Sequence, residues 1–219
     1  MRLKERFVQV LATLETQFGR MDTELHYETP FQLLIATVLS AQCTDKRVNM
    51  VTQHLFADYP TPQAMAQASV EEIFEHIRSV SYPNSKAKYL QGIARMVHEE
   101  FADAVPQTTE ELTRLPGVGR KTAHVVEAFA FGKSALAVDT HVFRVSHRIG
   151  LVSERCTTPL SVERALVRHI PAEQVALAHS WLLLHGRYTC KARRPACNLC
   201  KIAAFCKTHE LDARFDKRG

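Results

Sequence analysis

Four cysteines near the C-terminus have a spacing that suits a metal centre. Six, two and five residues separate them, and they are Cys190, Cys197, Cys200 and Cys206. Four thiolates in so short a segment can surround one inorganic centre. The spacing favours an iron–sulphur cluster over zinc, because structural zinc sites usually pair their ligands in two CxxC motifs and only one is present here. Disulfide bonds are a third possibility, and they suit a reducing compartment poorly.

The segment between the first two cysteines is basic. It contains Lys191, Arg193 and Arg194, and the longer stretch 174–209 has no Asp or Glu. A loop pinned at both ends would present these cations with little loss of conformational entropy on binding. We therefore expect the three side chains to bind a DNA backbone. A solvated cationic face without a ligand is the alternative.

A lysine and an aspartate form a candidate catalytic pair. Lys121 is predicted to lie in the first turn of a helix beside Arg120, where the helix dipole and the neighbouring cation both disfavour a charged amine. A neutral amine is a nucleophile. Eighteen residues later, Asp139 precedes another helix and offers a carboxylate that could accept a proton. Alternatively, Asp139 is only a helix N-cap, and the structural and catalytic roles are compatible.

A glycine-containing turn precedes the lysine. Residues 115–119 read Leu-Pro-Gly-Val-Gly, and Gly117 and Gly119 permit backbone angles and close approaches that other residues resist. Their amides, at the positive end of the following helix, suit a phosphate group. In the alternative interpretation this is an ordinary helix–helix turn, and the glycines only relieve strain.

Two helices must position this turn. Thr108 and Glu111 predict a capping box for the first helix, which should run to about Leu115. Apolar residues recur on one face of the second helix, and Gly132 should end it. The segment 108–131 is therefore predicted to be a helix-hairpin-helix.

The rest of the chain is predicted to be helical as well. Apolar residues recur with a period near 3.6 and no alternating strand pattern occurs, so the fold class is all-α. We expect two helical lobes. One is a continuous domain, 23–131, that contains the hairpin. The other is discontinuous, formed by 1–22 and 132–219, and contains the cysteine loop 190–206. The hairpin and Asp139 fall at the boundary between these lobes, where a duplex could lie.

Composition narrows the class of protein. The chain has 219 residues and a net charge of +5, which is modestly basic and consistent with a polyanionic partner. No apolar run is long enough to span a membrane, and the N-terminal helix does not resemble a signal peptide. These features predict a cytoplasmic, nucleoid-associated protein without a membrane partner. Nothing in the sequence demands an oligomer, so we expect a monomer.

Three blocks together resemble the endonuclease III family of DNA glycosylase/AP lyases. They are LPGVGRKTA, VDTHVFRV and the four cysteines, and the resemblance extends over 3–206. It implies a six-helix barrel with a helix-hairpin-helix, plus a lobe that holds a four-iron, four-sulphur cluster (4Fe-4S). It also implies that Lys121 attacks the sugar C1′ with help from Asp139. The implied partner is double-stranded DNA with oxidised pyrimidines or abasic sites.

Three further residues are candidates for DNA contacts. The family's SAQxTD block implies that Gln42 fills the space left by a flipped base, although the amide could instead satisfy nearby backbone. Tyr82, an aromatic residue on a rigid loop, could wedge between base pairs or cover the core. Arg144 shares a helix face with His141 and could contact phosphates or hold Asp139 in place.

The chain departs from the family at two places, and it also differs from the related adenine glycosylases. Residues 81–84 read Ser-Tyr-Pro-Asn where the family often has Gly-Leu-Tyr-Asn, and His124 stands where asparagine is usual. Residues 31–42 contain no acidic residue, whereas adenine glycosylases have a catalytic glutamate in the corresponding helix. Protonation of a purine leaving group is therefore not an evident capability.

The sequence favours a bifunctional DNA glycosylase that removes oxidised pyrimidines and cleaves the abasic strand by β-elimination through a Lys121 Schiff base. Two alternatives stay open. A non-catalytic DNA-binding protein would use the same hairpin and basic loop. A monofunctional glycosylase would use Asp139 to activate water, although relatives of that type lack the lysine.

Overall fold

The structure is a computed structural model that describes residues 1–19, 23–133 and 135–210. Within these ranges every regular element is an α-helix or a short 3-10 helix, so the all-α prediction is confirmed. The α-helices are α1 (Leu3–Phe18), α2 (Pro30–Ser40), α3 (Asp45–Asp58), α4 (Pro62–Gln67), α5 (Val70–Ile77), α6 (Pro83–Phe101), α7 (Thr109–Leu112), α8 (Arg120–Phe131), α9 (Thr140–Ile149), α10 (Pro159–Val167) and α11 (Val175–Tyr188). None of these helices is long and apolar enough to cross a membrane.

The chain divides into two compact units. Thr23–Lys133 forms one, called here the hairpin unit, and Met1–Asp22 with Ser134–Gly219 forms the other, called the cysteine unit. Each has its own apolar core. Residues 20–22, 134 and 211–219, which belong to the expected discontinuous domain, lie outside the described part of the chain.

Helix α2 is the centre of the hairpin unit. At its N-terminus, Thr29 Oγ1 accepts a hydrogen bond from Gln32 N (3.2 Å) and Pro30 takes the first helical position. All residues from Phe31 to Leu39 are buried, as an almost wholly apolar sequence requires. The helix contacts α3, α6 and α8. It therefore supports the helix that carries Lys121.

Helix α11 has the corresponding place in the cysteine unit. It contacts α1 and α9, and the buried Trp181 donates from Nε1 to the Gly19 carbonyl (2.7 Å). On α1, Arg6 donates from Nε to the carbonyl of Phe205 (3.0 Å) and from Nη1 to that of Gly150 (3.3 Å). The two ends of the chain are thereby held in one core.

One predicted helix boundary is wrong, and proline explains it. The first hairpin helix, α7, ends at Leu112 and does not reach Leu115, because a residue before proline disfavours helical angles and Pro116 follows. Proline also marks the start of α6 at Pro83, because proline is preorganised for the first helical position.

Candidate functional site

The hairpin turn needs glycine at position 117 for two reasons. Gly117 has a φ of +72°, in the left-handed region. A Cβ there would also lie 2.5 Å from the ring of Tyr89, a residue of α6. Gly119 differs from it, because its φ is −92° and a Cβ there would meet no atom within 4 Å. The first glycine therefore shapes the turn, and the second leaves open space at the start of α8.

Apolar side chains anchor the turn to the core of the hairpin unit. Leu115 and Val118 are buried in the core of the hairpin unit, and Pro116 packs against Gly92 so closely that a Cβ on Gly92 would lie 3.0 Å from the proline ring. Gly117 and Gly119 are exposed between these anchors. The turn is thus held rigidly while its outer backbone faces solvent.

Helix α8 presents Lys121 at its exposed first turn. Ala123 and Val126, on the opposite face, are buried in the core of the hairpin unit. The carboxylate of Glu127 accepts a hydrogen bond from the Thr109 hydroxyl (2.7 Å), which joins α8 to α7. The predicted helix end at Gly132 is confirmed, with a φ of +63°. An amine therefore stands beside the amides of a fixed helix N-terminus, where an anion is stabilised.

His124 is buried one turn beyond the lysine. The two residues are three positions apart, so they are neighbours on one face of α8, with Lys121 exposed and His124 buried. The departure from the family's asparagine therefore places an imidazole next to Lys121 on the helix.

Asp139 is the N-cap of α9. Its Oδ1 accepts hydrogen bonds from the backbone amides of His141 (2.9 Å) and Val142 (2.8 Å). The predicted N-cap role of this residue is therefore confirmed, and the two hydrogen bonds fix the carboxylate at the start of the helix. Asp139 belongs to the cysteine unit and Lys121 to the hairpin unit, so their catalytic pairing stays a prediction.

Gln42 and Tyr82 occupy two loops of the hairpin unit. Both are exposed and both have a φ of +55°. Tyr82 has 64% of its surface accessible, so the alternative of a core-covering tyrosine is wrong. Their roles toward DNA stay predictions.

The four cysteines surround one small cavity. Ile149, His185 and Ile202 line it with them, and all six cysteines of the chain are free thiols. Burial, followed by the neighbouring thiols, raises the pKa of Cys200 and of Cys206, while backbone hydrogen bonds act in the opposite direction. In the described ranges, no three Cys, His, Asp or Glu side chains converge as ligands of a single metal ion.

The basic loop is held by an arginine that sequence reasoning missed. Arg148, on α9, donates from Nη1 to the carbonyl of Lys191 (2.7 Å) and from Nη2 to that of Ala192 (3.0 Å). Nη1 also lies 3.6 Å from Cys190 Sγ. In the sequence, this role was indicated only by the position of Arg148, one helical turn after Arg144. Lys191, Arg193 and Arg194 are exposed on the loop so fixed.

Arg144 has a structural role in this unit. Its Nη2 donates to the carbonyls of Gly186 (2.9 Å) and Cys190 (3.1 Å) and lies 3.3 Å from His141 Nδ1. These bonds satisfy carbonyls at the end of α11, which would otherwise lack partners. The guanidinium thus fixes the start of the cysteine loop, and a phosphate contact by Arg144 stays a prediction.

Comparison with known proteins gives a consistent result. Residues 35–172 match the model of the HhH-GPD superfamily base excision DNA repair protein. The endonuclease III of Synechocystis sp. (strain ATCC 27184 / PCC 6803 / Kazusa) is 46% identical over 204 residues, which cover 93% of this chain and 92% of that protein. The endonuclease III of Escherichia coli (strain K12) is 41% identical over 207 residues, which cover 94% and 97%.

Solved structures agree with the sequence relatives. A non-covalent endonuclease III–DNA complex superposes with a TM-score of 0.89 at 41% identity, and the match covers 98% of this chain and 100% of that one. A trapped endonuclease III–DNA covalent intermediate gives a TM-score of 0.88 with the same identity and coverage. A thermostable thymine-DNA glycosylase shares the fold, with a TM-score of 0.84 at 24% identity over 95% of this chain and 97% of that one.

Proposed function

Since the chain belongs to the endonuclease III family of HhH-GPD base excision DNA repair proteins, it is a DNA glycosylase and AP lyase for oxidised pyrimidines, and we propose which residues carry out the reaction. Lys121 is the nucleophile and Asp139 its proton acceptor. The observation that supports this choice most strongly is the exposed position of Lys121 in the first turn of α8, directly after the glycine turn.

The reaction begins with the damaged nucleotide rotated out of the duplex. The Lys121 amine attacks C1′, the C1′–N bond breaks, and its electron pair leaves with the base. The C1′–O4′ bond then opens, its electron pair stays on O4′, which takes up the proton held by Asp139, and a Schiff base forms between Nζ and C1′. Asp139 accepts the proton lost by the nitrogen and stabilises the positive charge that develops on the sugar.

Strand cleavage follows from the same intermediate. The Schiff base acidifies the hydrogens on C2′, and loss of one of them expels the phosphate from C3′, so that the C3′–O3′ bond breaks. Hydrolysis of the Schiff base by water then restores the amine. The strand is cut on the 3′ side of the lesion.

Other residues hold the duplex during these steps. The amides of Gly117 and Gly119 at the start of α8 bind a phosphate, while Lys191, Arg193 and Arg194 bind the DNA backbone. Gln42 fills the gap left by the flipped nucleotide, and Tyr82 wedges beside it. The enzyme acts on genomic DNA, at the nucleoid of the cytoplasm.

The four cysteines hold a 4Fe-4S cluster. One observation of the structure supports a bound inorganic centre: all four thiols line one cavity. The choice of a cluster over zinc rests on the spacing of the cysteines and on the family. When bound, the cluster supplies iron–thiolate bonds that cross-link the loop 190–206. None of the bond changes above takes place at these cysteines.

Borohydride trapping tests the proposal. Reduction of the Schiff base should link wild-type protein covalently to a duplex with an abasic site, whereas Lys121→Ala should form no such complex. Lys88→Ala removes another exposed lysine of the hairpin unit and should trap as wild type does. Release of a damaged base without trapping would indicate a monofunctional glycosylase, and binding without either reaction would indicate a non-catalytic protein. Either result would overturn the assignment of Lys121.

A further inference from the structure

A buried lysine lies beneath the two loops that carry Gln42 and Tyr82. Lys86, in the first turns of α6, has only 4% of its surface accessible. Its Nζ donates to the carbonyl of Leu39 (2.8 Å) and to that of Ala41 (2.7 Å). These carbonyls lie at the C-terminal end of α2, where they have no partner within the helix and where the dipole favours a cation.

The same ammonium reaches the second loop. Lys86 Nζ lies 3.5 Å from the hydroxyl oxygen of Ser81, and that hydroxyl donates to the carbonyl of Gln42 (2.7 Å). A chain of hydrogen bonds therefore runs from Lys86 through Ser81 to the backbone of Gln42. A lysine ammonium has three donors, and these three contacts use all of them.

Both loops adopt backbone conformations that need support. Gln42 and Tyr82 are non-glycine residues with a φ of +55°, in a region that disfavours side chains. Tyr82 also precedes Pro83, which restricts its backbone further. Such conformations persist where the surroundings determine them, and they are frequent at ligand-binding sites. The bonds from Lys86 and Ser81 supply that support.

We propose that Lys86 is a positioning residue for base extrusion, which ties the loop of Gln42 to the loop of Tyr82 so that both side chains meet the duplex at a fixed separation. This inference rests on the proposed function, in which those two residues enter the DNA. Lys86 touches neither DNA nor the reacting atoms. It acts through the two loops.

Two variants break the link at different points. Lys86→Met keeps the length of the side chain and removes the ammonium. Ser81→Ala removes only the hydroxyl, at a half-exposed position, and Ser81→Thr retains it. Lys88→Met is the matched control, an exposed lysine on the same helix. If Lys86→Met fails to fold, as judged by circular dichroism and thermal melting, Ser81→Ala carries the test alone.

The readout is the fluorescence of 2-aminopurine placed next to thymine glycol in a duplex, which rises as the stack opens. The rate of this rise should fall roughly tenfold or more in Lys86→Met and about threefold to tenfold in Ser81→Ala, in keeping with the loss of a charged and a neutral hydrogen bond. Ser81→Thr and Lys88→Met should match wild type. The final yield of borohydride-trapped complex on an abasic duplex should not change, because Lys121 is intact.

A double-mutant comparison separates positioning from general destabilisation. In a Gln42→Ala/Tyr82→Ala background, Lys86→Met and Ser81→Ala should slow extrusion no further, because the side chains they position are gone. An equal loss in both backgrounds, or wild-type extrusion in a folded Lys86→Met or Ser81→Ala variant, would overturn the inference. A wild-type protein that neither traps nor extrudes would instead overturn the proposed function.

Discussion

The hairpin turn and the basic loop both present cations to solvent, but they are built in different ways. The turn lies on buried Leu115 and Val118 and begins a regular helix. The loop from 190 to 206 has only two 3-10 turns within it and is fixed by hydrogen bonds from Arg144 and Arg148 and, we propose, by the cluster. An apolar core thus supports the helix that carries Lys121, whereas hydrogen bonds, together with the proposed cluster, support the loop that carries Lys191, Arg193 and Arg194.

Because the two regions are stabilised in different ways, damage to one should leave the other intact. Packing defects around the turn should lower the stability of the hairpin unit. Loss of the cluster should release the basic loop and reduce DNA affinity, while Lys121 stays on an intact helix.

Loss of a cluster ligand should have the largest effect. Cys200→Ser should reduce bound iron and the visible absorbance of the cluster, and it should weaken DNA binding by about a hundredfold, because three backbone-binding cations lose their fixed positions. Iron content, absorbance and a binding isotherm at one stated salt concentration measure this. Cys156→Ser, in the same unit but outside the cavity, is the control and should behave as wild type. Unchanged DNA affinity in a cluster-free protein would contradict the claim that the cluster fixes the basic loop.

Substitution of the first hairpin glycine should have an intermediate effect. Gly117→Ala introduces both a Cβ 2.5 Å from the Tyr89 ring and a strained φ, so it should lower the free energy of unfolding by about 2 kcal/mol. Gly119→Ala, with open space and an ordinary φ, should lower it by less than about 1 kcal/mol. Urea denaturation measures both. Equal losses would show that the turn is not packed as described.

Removal of one loop cation should have the smallest effect. Arg193→Ala should weaken DNA binding a few-fold and reduce the slope of log K against log salt by roughly 0.9, the value for one phosphate contact. Titrations at several salt concentrations measure the slope. Arg78→Ala removes an exposed arginine that pairs with Glu75 and should leave it unchanged. An unaltered slope in Arg193→Ala would mean that the loop is only a solvated face.

Helix bounds and caps could be predicted from the sequence, because residues only a few positions apart determine them. The bounds of α1, Leu3–Phe18, follow from its apolar period and Gly19. The N-terminus of α2 follows from Thr29 and Pro30. Asp139 as an N-cap is the same kind of inference, since the cap bonds only to residues two and three positions away.

Contacts between distant residues could not be predicted in this way. Lys86 is 45 residues from the carbonyl of Ala41, and Arg148 is 43 from that of Lys191. A lysine or arginine in a helix has the same local pattern whether it is solvated or buried against carbonyls, because the choice depends on tertiary packing. For Arg144, the sequence suggested a phosphate contact or a role in holding Asp139, and it gave no sign of the bonds to the carbonyls of Gly186 and Cys190.

The site of covalent attachment in the wild-type protein tests whether Lys121 is the nucleophile. The borohydride-trapped complex with an abasic duplex can be digested with protease and nuclease, and mass spectrometry then locates the sugar remnant on a peptide. We predict a single modified peptide with the adduct on Nζ of Lys121. An adduct on another lysine or on the N-terminal amine, with Lys121 unmodified, would contradict it.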